Sequence, residues 1–242
     1  MIMKRVPLLT LVFAVLSAVF FLVLVFFRIP FKPYPLMSVQ DALDLLTPLV
    51  LIPIYWTLFK NGGAEKPTLA EEIVFMVLAA VWVLGQGMHL SANSINNLSE
   101  AFAKKQVIDI TGTDIYRLTY FYDEHLSHYL WHFGVIGLTT LLVYREWRSP
   151  TKIQTRWWMA ILGGIIFGFT QFLIFLEGQT VAMGFPFAIG LTLVILIWGR
   201  KTWGQRPILV FFFIAYLLAA VLLTGWGVVY GGFPQLTDVG LM

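Results

Sequence analysis

The four histidines of this 242-residue chain are His89, His125, His128 and His132, and three of them share the run Asp123-Glu124-His125-Leu126-Ser127-His128-Tyr129-Leu130-Trp131-His132. At about 100° per residue along an α-helix, Glu124, His125, His128 and His132 fall within a sector of about 100° and so face one point. Convergence of this kind is what a metal ion requires. Each imidazole offers one ring nitrogen, and bonds to zinc are only about 2.0–2.1 Å long. Spacings of three and four residues place the ligands as neighbours on one helix face. The pattern follows the two-histidine helix logic of metalloproteases in a different sequence.

A second polar stripe faces the first. Gln86, His89, Asn93, Asn96 and Glu100 recur at three- and four-residue steps, and such a stripe must face protein or water rather than lipid. Counting about 1.5 Å per residue brings His89, His132, His125 and Glu177 to similar depth, with Asp41 and Asp44 able to join them. The candidate site is therefore His89, His125, His128 and His132 as metal ligands, Glu177 and Glu124 as catalytic carboxylates, and Asn93 as a residue orienting the bound group. Asp123 or Glu124 could instead complement the N-terminus of the fourth helix. With no cysteine in the chain, any metal must rely on imidazole and carboxylate.

The elements that position these residues are membrane spans. Hydrophobic residues make up 59% of the chain and charged ones 12%, and mean hydropathy is +0.81, which excludes an ordinary soluble domain of roughly 25% charged residues. Apolar runs of span length lie near 6–27, 42–59, 73–90, 126–144, 157–176, 185–198 and 208–230, giving an all-α polytopic bundle in a single domain of about seven helices. The first run is too long for the apolar part of a secretory signal, typically about 7–15 residues. Pro48 and Pro53 fall within the second, and Gly184-Phe185-Pro186 reads as the joint before the sixth. Thr68 and Glu71 have capping-box spacing, so the third helix starts there and continues past its apolar part. The stretch 101–122 is open as loop, lid or helix. Asp114 is placed to cap a helix there. Gly164 and Gly168 allow a neighbouring helix to approach the fifth span closely.

Eleven Lys and Arg residues fall on one side of these spans and five on the other. The excess predicts an inside N-terminus, an outside C-terminus and a site toward the extracytoplasmic side of the plasma membrane. Trp147, Trp157, Trp158, Trp198 and Trp203 then mark the inner interface as an aromatic belt. The basic residues sit in short connections rather than in one stripe, which argues for topology and against a nucleic-acid partner.

Seven spans, an inside N-terminus, the His128-x-x-x-His132 pair and His89 on a separate helix resemble the superfamily of alkaline ceramidases and adiponectin receptors. That resemblance implies a three-histidine zinc site, with His128 and His132 as the paired ligands and His89 as the third, and hydrolysis of a lipid amide. In that family the pair lies on the last helix and a Ser precedes the third histidine by four residues. Here the pair lies on the fourth span, and Ser91 and Ser94 follow His89. The expected function is a zinc-dependent hydrolase of a lipid or amphipathic substrate in contact with membrane lipid. The alternatives are a non-haem iron or di-iron oxidoreductase and a transporter or metal-handling protein.

Overall fold

The computed structural model describes residues 6–23, 29–34, 36–150, 157–199, 203 and 205–241. These contain α1 (Val6–Ala18), α2 (Val39–Asp44), α3 (Leu46–Asn61), α4 (Leu69–Lys104), α5 (Asp114–Tyr120), α6 (His128–Arg148), α7 (Trp157–Glu177), α8 (Val181–Gly199) and α9 (Pro207–Tyr230). A π-helical turn, Val19–Val23, extends α1, and another, Phe121–Ser127, fuses α5 to α6. No strand occurs among the described residues beyond an isolated bridge between Pro30 and Ser38. Among the described residues, seven helices are long and apolar enough to cross a membrane. The chain is an integral membrane protein of helical class.

Local chemistry accounts for the boundaries. Thr68 caps α4, its hydroxyl accepting from Glu71 N at 3.3 Å while Glu71 Oε2 accepts from Thr68 N at 2.7 Å, the reciprocal box the sequence predicts. The 36 residues of α4 span about 54 Å at 1.5 Å each, well beyond a hydrocarbon core of about 30 Å. Its polar half from His89 to Glu100 therefore continues as helix. Within 101–122, α4 ends at Lys104 and α5 begins at Asp114. Thr113, not Asp114, caps α5, its hydroxyl accepting from Tyr116 N at 3.3 Å.

Two boundaries depart from expectation. The fourth span begins at Asp114 instead of Leu126, because α5, the π turn and α6 form one continuous rod. Asp123 and Glu124 consequently lie inside the helix and do not complement its N-terminus. The sixth span begins at Val181, with Gly184-Phe185-Pro186 inside α8. The Thr180 carbonyl accepts from Met183 N at 3.0 Å and Gly184 N at 2.8 Å, so the helix is already closed before Pro186 removes one bond. The second span runs through both prolines, Pro48 sitting near the helix start and Pro53 inside. Of the first span, residues 24–27 lie outside the described residues, as do Lys4, Arg5, Arg28, Lys152, Arg156, Arg200 and Lys201 of the charge count.

Glycines set the close approaches. A Cβ on Gly164 would stand 2.7 Å from Phe211 O, and one on Gly168 would strike the Ala215 carbonyl, so α7 and α9 pack through the small-residue pair the sequence marked. For the site the decisive contact is between α4 and α6. A Cβ on Gly85 would stand 2.6 Å from Ser127 O, and one on Gly134 would stand 2.8 Å from both Leu78 O and Trp82 N. Backbone meets backbone there. Only glycine permits it.

At the far end of α6 from the histidines, buried Arg145 donates from Nε to Phe59 O at 3.0 Å, from Nη1 to Glu71 Oε2 at 2.9 Å and from Nη2 to Glu65 O at 3.0 Å. It thereby satisfies a carbonyl at the end of α3 and clamps the α3–α4 connection. The adjacent Glu146, fully buried, accepts from Leu209 N at 2.7 Å. Pro207 opens α9, and Glu146 supplies from another helix the anionic cap that Arg206 lacks the side chain to provide.

Candidate functional site

The Gly85 contact presses α4 against α6 one turn from His89 and directly beside His128 and His132, at Ser127 and Trp131, and Gly134 lies two residues beyond His132. His89 and His128 then stand with ring centroids 4.6 Å apart, and His128 and His132 stack at 6.1 Å. His128 and His132 are buried, at 6% and 2% exposure. His89 is partly so, its side chain 20% exposed.

Each of the three rings has an oxygen beside its Nδ1. His89 Nδ1 lies 2.8 Å from Asp123 Oδ1, and Asp123 is fully buried. Its other oxygen accepts from Asn96 Nδ2 at 3.2 Å. His128 Nδ1 lies 3.1 Å from the Glu124 carbonyl oxygen, four residues back. His132 Nδ1 meets the Thr180 hydroxyl at the start of α8. His132 Nε2 is buried without a hydrogen-bond partner. The His132 ring also lines a cavity of about 10 Å³ shared with Gln171, Trp131 and Tyr55, room for about one water-sized group.

The π turn decides which residues reach this point. Bonding from i to i+5 inserts an extra residue into the turn. Asp123, Ser127 and His128 are therefore buried, while His125 is exposed. His125 instead packs against the rings of Tyr120, at 5.8 Å, and Phe121, at 6.1 Å. The expectation of one α-helical sector holding Glu124, His125, His128 and His132 is thus corrected: His125 leaves the group and Asp123 enters it. The Ser127 hydroxyl donates to the Asp123 carbonyl across the same turn, occupying an oxygen that π bonding displaces from its α-helical partner.

The other expected residues have different neighbours. Asn93 Nδ2 donates to Asp41 Oδ1 at 3.2 Å, so it ties α4 to α2 rather than orienting an imidazole. Asp44 joins α4 through Gln86 Nε2, at 2.8 Å, and Gln86 Oε1 accepts from Trp82 Nε1 at 3.1 Å. Glu124 Oε2 accepts from Gln179 Nε2 at 3.4 Å. Glu177 Oε1 accepts from Leu236 N at 2.7 Å, and its carbonyl accepts from Gln235 Nε2 at 2.7 Å. Glu177 fastens the C-terminal tail and makes no bond to the histidines.

Gly178, Gln179 and Thr180 form the turn between α7 and α8, and all three touch the histidine face of the α5–α6 rod. A Cβ on Gly178 would stand 2.9 Å from His132 Cε1, and its carbonyl faces His128. Gln179, at φ 50°, occupies left-handed backbone that costs a residue with a side chain about 1–2 kcal/mol. Such strain persists where surrounding contacts fix the conformation. Periodicity along one helix carries no signal for Thr180 or Gly178. Their only sequence mark is a position just beyond Glu177, at the depth of the histidines.

Among the described residues, no group of three or more His, Asp or Glu side chains stands close enough together in this arrangement to hold a metal ion. What the arrangement supplies is two buried imidazoles and a third beside a buried carboxylate. Groups of these types can bind a cation, pass protons or polarise a substrate. Comparison with protein-family models, with curated proteins and with solved structures returns no match to this chain.

Proposed function

We propose that this protein is a membrane-embedded metal-dependent hydrolase, acting on a lipid or another amphipathic amide or ester, with His89, His128 and His132 as ligands to a single zinc ion. One observation carries the reading: all three imidazoles have an oxygen beside Nδ1, from Asp123, the Glu124 carbonyl and Thr180. Metal-binding histidines are oriented in this way, the partner fixing the tautomer and leaving Nε2 as the ligand atom. Ligation requires the three rings to turn toward one another and His128 to leave the Gly178 carbonyl. Zinc with three protein ligands keeps a fourth position for water and lowers the pKa of that water to about 7.

In this reading Glu124, beside His128 and open to the surface through Gln179, takes the proton. Asp123 and Thr180 hold their rings in place, and Glu177 is assigned to the tail. The excess of basic residues at the opposite end of the spans supports a site toward the extracytoplasmic side of the plasma membrane, with the N-terminus inside. A di-iron or non-haem iron oxidoreductase is the second reading, favoured by the additional carboxylates Asp44 and Asp123 within the same polar group.

Metal analysis of protein purified without chelators tests both. About one zinc per chain, lost in His128→Ala and His132→Ala, supports the hydrolase. Two irons support the oxidoreductase, and no metal in any preparation overturns both. Sidedness is checked separately. The chain has no native cysteine, so Lys105→Cys reports alone, and reaction with an impermeant maleimide only after lysis overturns the orientation.

A further inference from the structure

The cavity beside His132 lies inside the bundle, walled by apolar side chains such as Phe13, Leu51, Val135 and Phe167. Helices α1, α3, α6 and α7 each add a polar residue to that wall, namely Ser17, Tyr55, His132 and Gln171. We propose that the cavity is a binding site for one water molecule, that this water bridges His132 Nε2 to the Gln171 carboxamide, and that Gln171 is thereby a positioning residue for His132. The proposal goes beyond the metal reading and does not rest on it.

Two of the four polar residues already have partners. The Ser17 hydroxyl donates to Phe13 O at 2.8 Å, and the Tyr55 hydroxyl pairs with Thr139 Oγ1 at 3.2 Å. The other two lack them. His132 Nε2 is buried without a hydrogen-bond partner. Gln171 is 4% exposed, and its carboxamide enters no hydrogen bond among the described residues. A carboxamide offers two donors and an acceptor, and inside a bilayer no solvent serves them. Gln171 is the only carboxamide in α7. A leucine there would fill similar space without that cost.

The imidazole turns its free edge to the cavity. The Thr180 hydroxyl is at Nδ1 and Gly178 crowds Cε1, yet neither residue lines the cavity. The edge left to face it carries Nε2 and Cδ2. Size and chemistry agree on the ligand. The space is about 10 Å³, and a buried water needs roughly 10–15 Å³ with two to four polar partners. Water accepts from the Gln171 amide and donates to Nε2 when Nδ1 carries the ring proton. The Ser17 and Tyr55 oxygens each keep a lone pair for the same molecule. The described lining holds no Lys, Arg, Asp or Glu, so an ion finds no counter-charge there.

A ring with Thr180 at one nitrogen and a water at the other is fixed in tautomer as well as in orientation. Ligation of zinc through Nε2 displaces that water.

The test is water-edited nitrogen NMR of the full chain, labelled at histidine, freed of metal and held in nanodiscs, with the His132 signals assigned by their loss in His132→Asn. Transfer from a slowly exchanging water to His132 Nε2 is expected in the wild type, while exposed His125 contacts bulk water throughout as the control. Gln171→Leu and Val135→Ile, the second adding a methyl group to the cavity wall, should each abolish the transfer. Thermal unfolding supplies an independent sign. With a bridging water, either variant strips Nε2 of its partner and lowers the midpoint by about 2–4 °C. With a dry cavity, Gln171→Leu removes an unpaired amide and Val135→Ile fills space, and both raise the midpoint.

Absence of transfer at His132 in the wild type, with His125 normal, overturns the proposal, and so does a raised midpoint in both variants. Saturating zinc separates it from the metal reading. A chain that binds no zinc and keeps the transfer retains the water while the hydrolase reading fails.

Discussion

The two ends of α6 both bury polar side chains, and they treat them differently. At the Arg145 end the guanidinium donates three hydrogen bonds and Glu146 receives the backbone of α9. Those groups end helices and close loops. At the histidine end each of three rings has its Nδ1 occupied, while His132 Nε2 is buried without a partner. Burying a polar atom unpaired costs roughly 1–3 kcal/mol, and Glu146 Oε1 at the structural end bears the same cost, so what sets the histidine end apart is that its contacts orient rings and close no helix end or loop. The contrast separates polar groups that hold the bundle together from polar groups held ready by it.

The sharpest way to break this contrast is at the structural end. Arg145→Ala removes three buried hydrogen bonds and leaves Glu71 with Arg148, at 3.2 Å, and Thr68, and removing one member of a buried pair typically costs about 3–5 kcal/mol. Thermal unfolding followed by size-exclusion fluorescence should show a large fall in midpoint or no folded protein. A midpoint near that of wild type would dissolve the distinction between the two ends.

Gly85→Ala tests the approach that brings the ends of α4 and α6 together. Its Cβ meets the backbone of Trp131 and stands 2.6 Å from Ser127 O, so α4 must shift at a cost of roughly 1–3 kcal/mol. Loss of thermal stability together with any bound metal is expected. Gly87→Ala, where no atom lies within 4 Å of the added carbon, serves as the neutral control on the same helix.

At the histidine end the expected losses are functional. Asp123→Asn keeps the shape but removes the charge beside His89 and should weaken metal binding about 10–100-fold, measured by competition with a chromogenic chelator. Stability of the metal-free chain should change by no more than about 1 kcal/mol. The smallest effect is expected for His125→Ala. That ring is exposed and away from the others, so metal content should be unchanged and stability should stay within about 0.5 kcal/mol. Loss of metal in this variant would restore the four-histidine site that α-helical periodicity predicts.

That last comparison shows how far the site was legible. His89, His128 and His132 stood out because histidine is scarce in the chain and three- and four-residue spacings hold along ordinary helix. Asp123 was in view as a helix-end charge, but the π turn that carries it inward leaves no periodic mark, so the rotation that replaces His125 by Asp123 was invisible. Thr180 and Gly178 reach the histidines through the packing of α7 and α8, which one-helix reasoning does not cover. Glu177 ends α7, yet its place along the helix does not say which neighbour claims the carboxylate, and the C-terminal tail does.

By itself the sequence determined that the chain lives in a membrane, that it has seven apolar spans and roughly where their cores lie, where α4 starts, and which glycine pair joins α7 to α9. Those properties follow from composition, run length and cap chemistry, all of which are local. The tertiary structure alone decided that α4 and α6 meet through Gly85 and Gly134, that a π turn selects Asp123 over His125, and that the Gly178–Thr180 turn lies over the histidines. Each depends on residues remote in sequence competing for the same space, and no local pattern encodes the outcome of that competition.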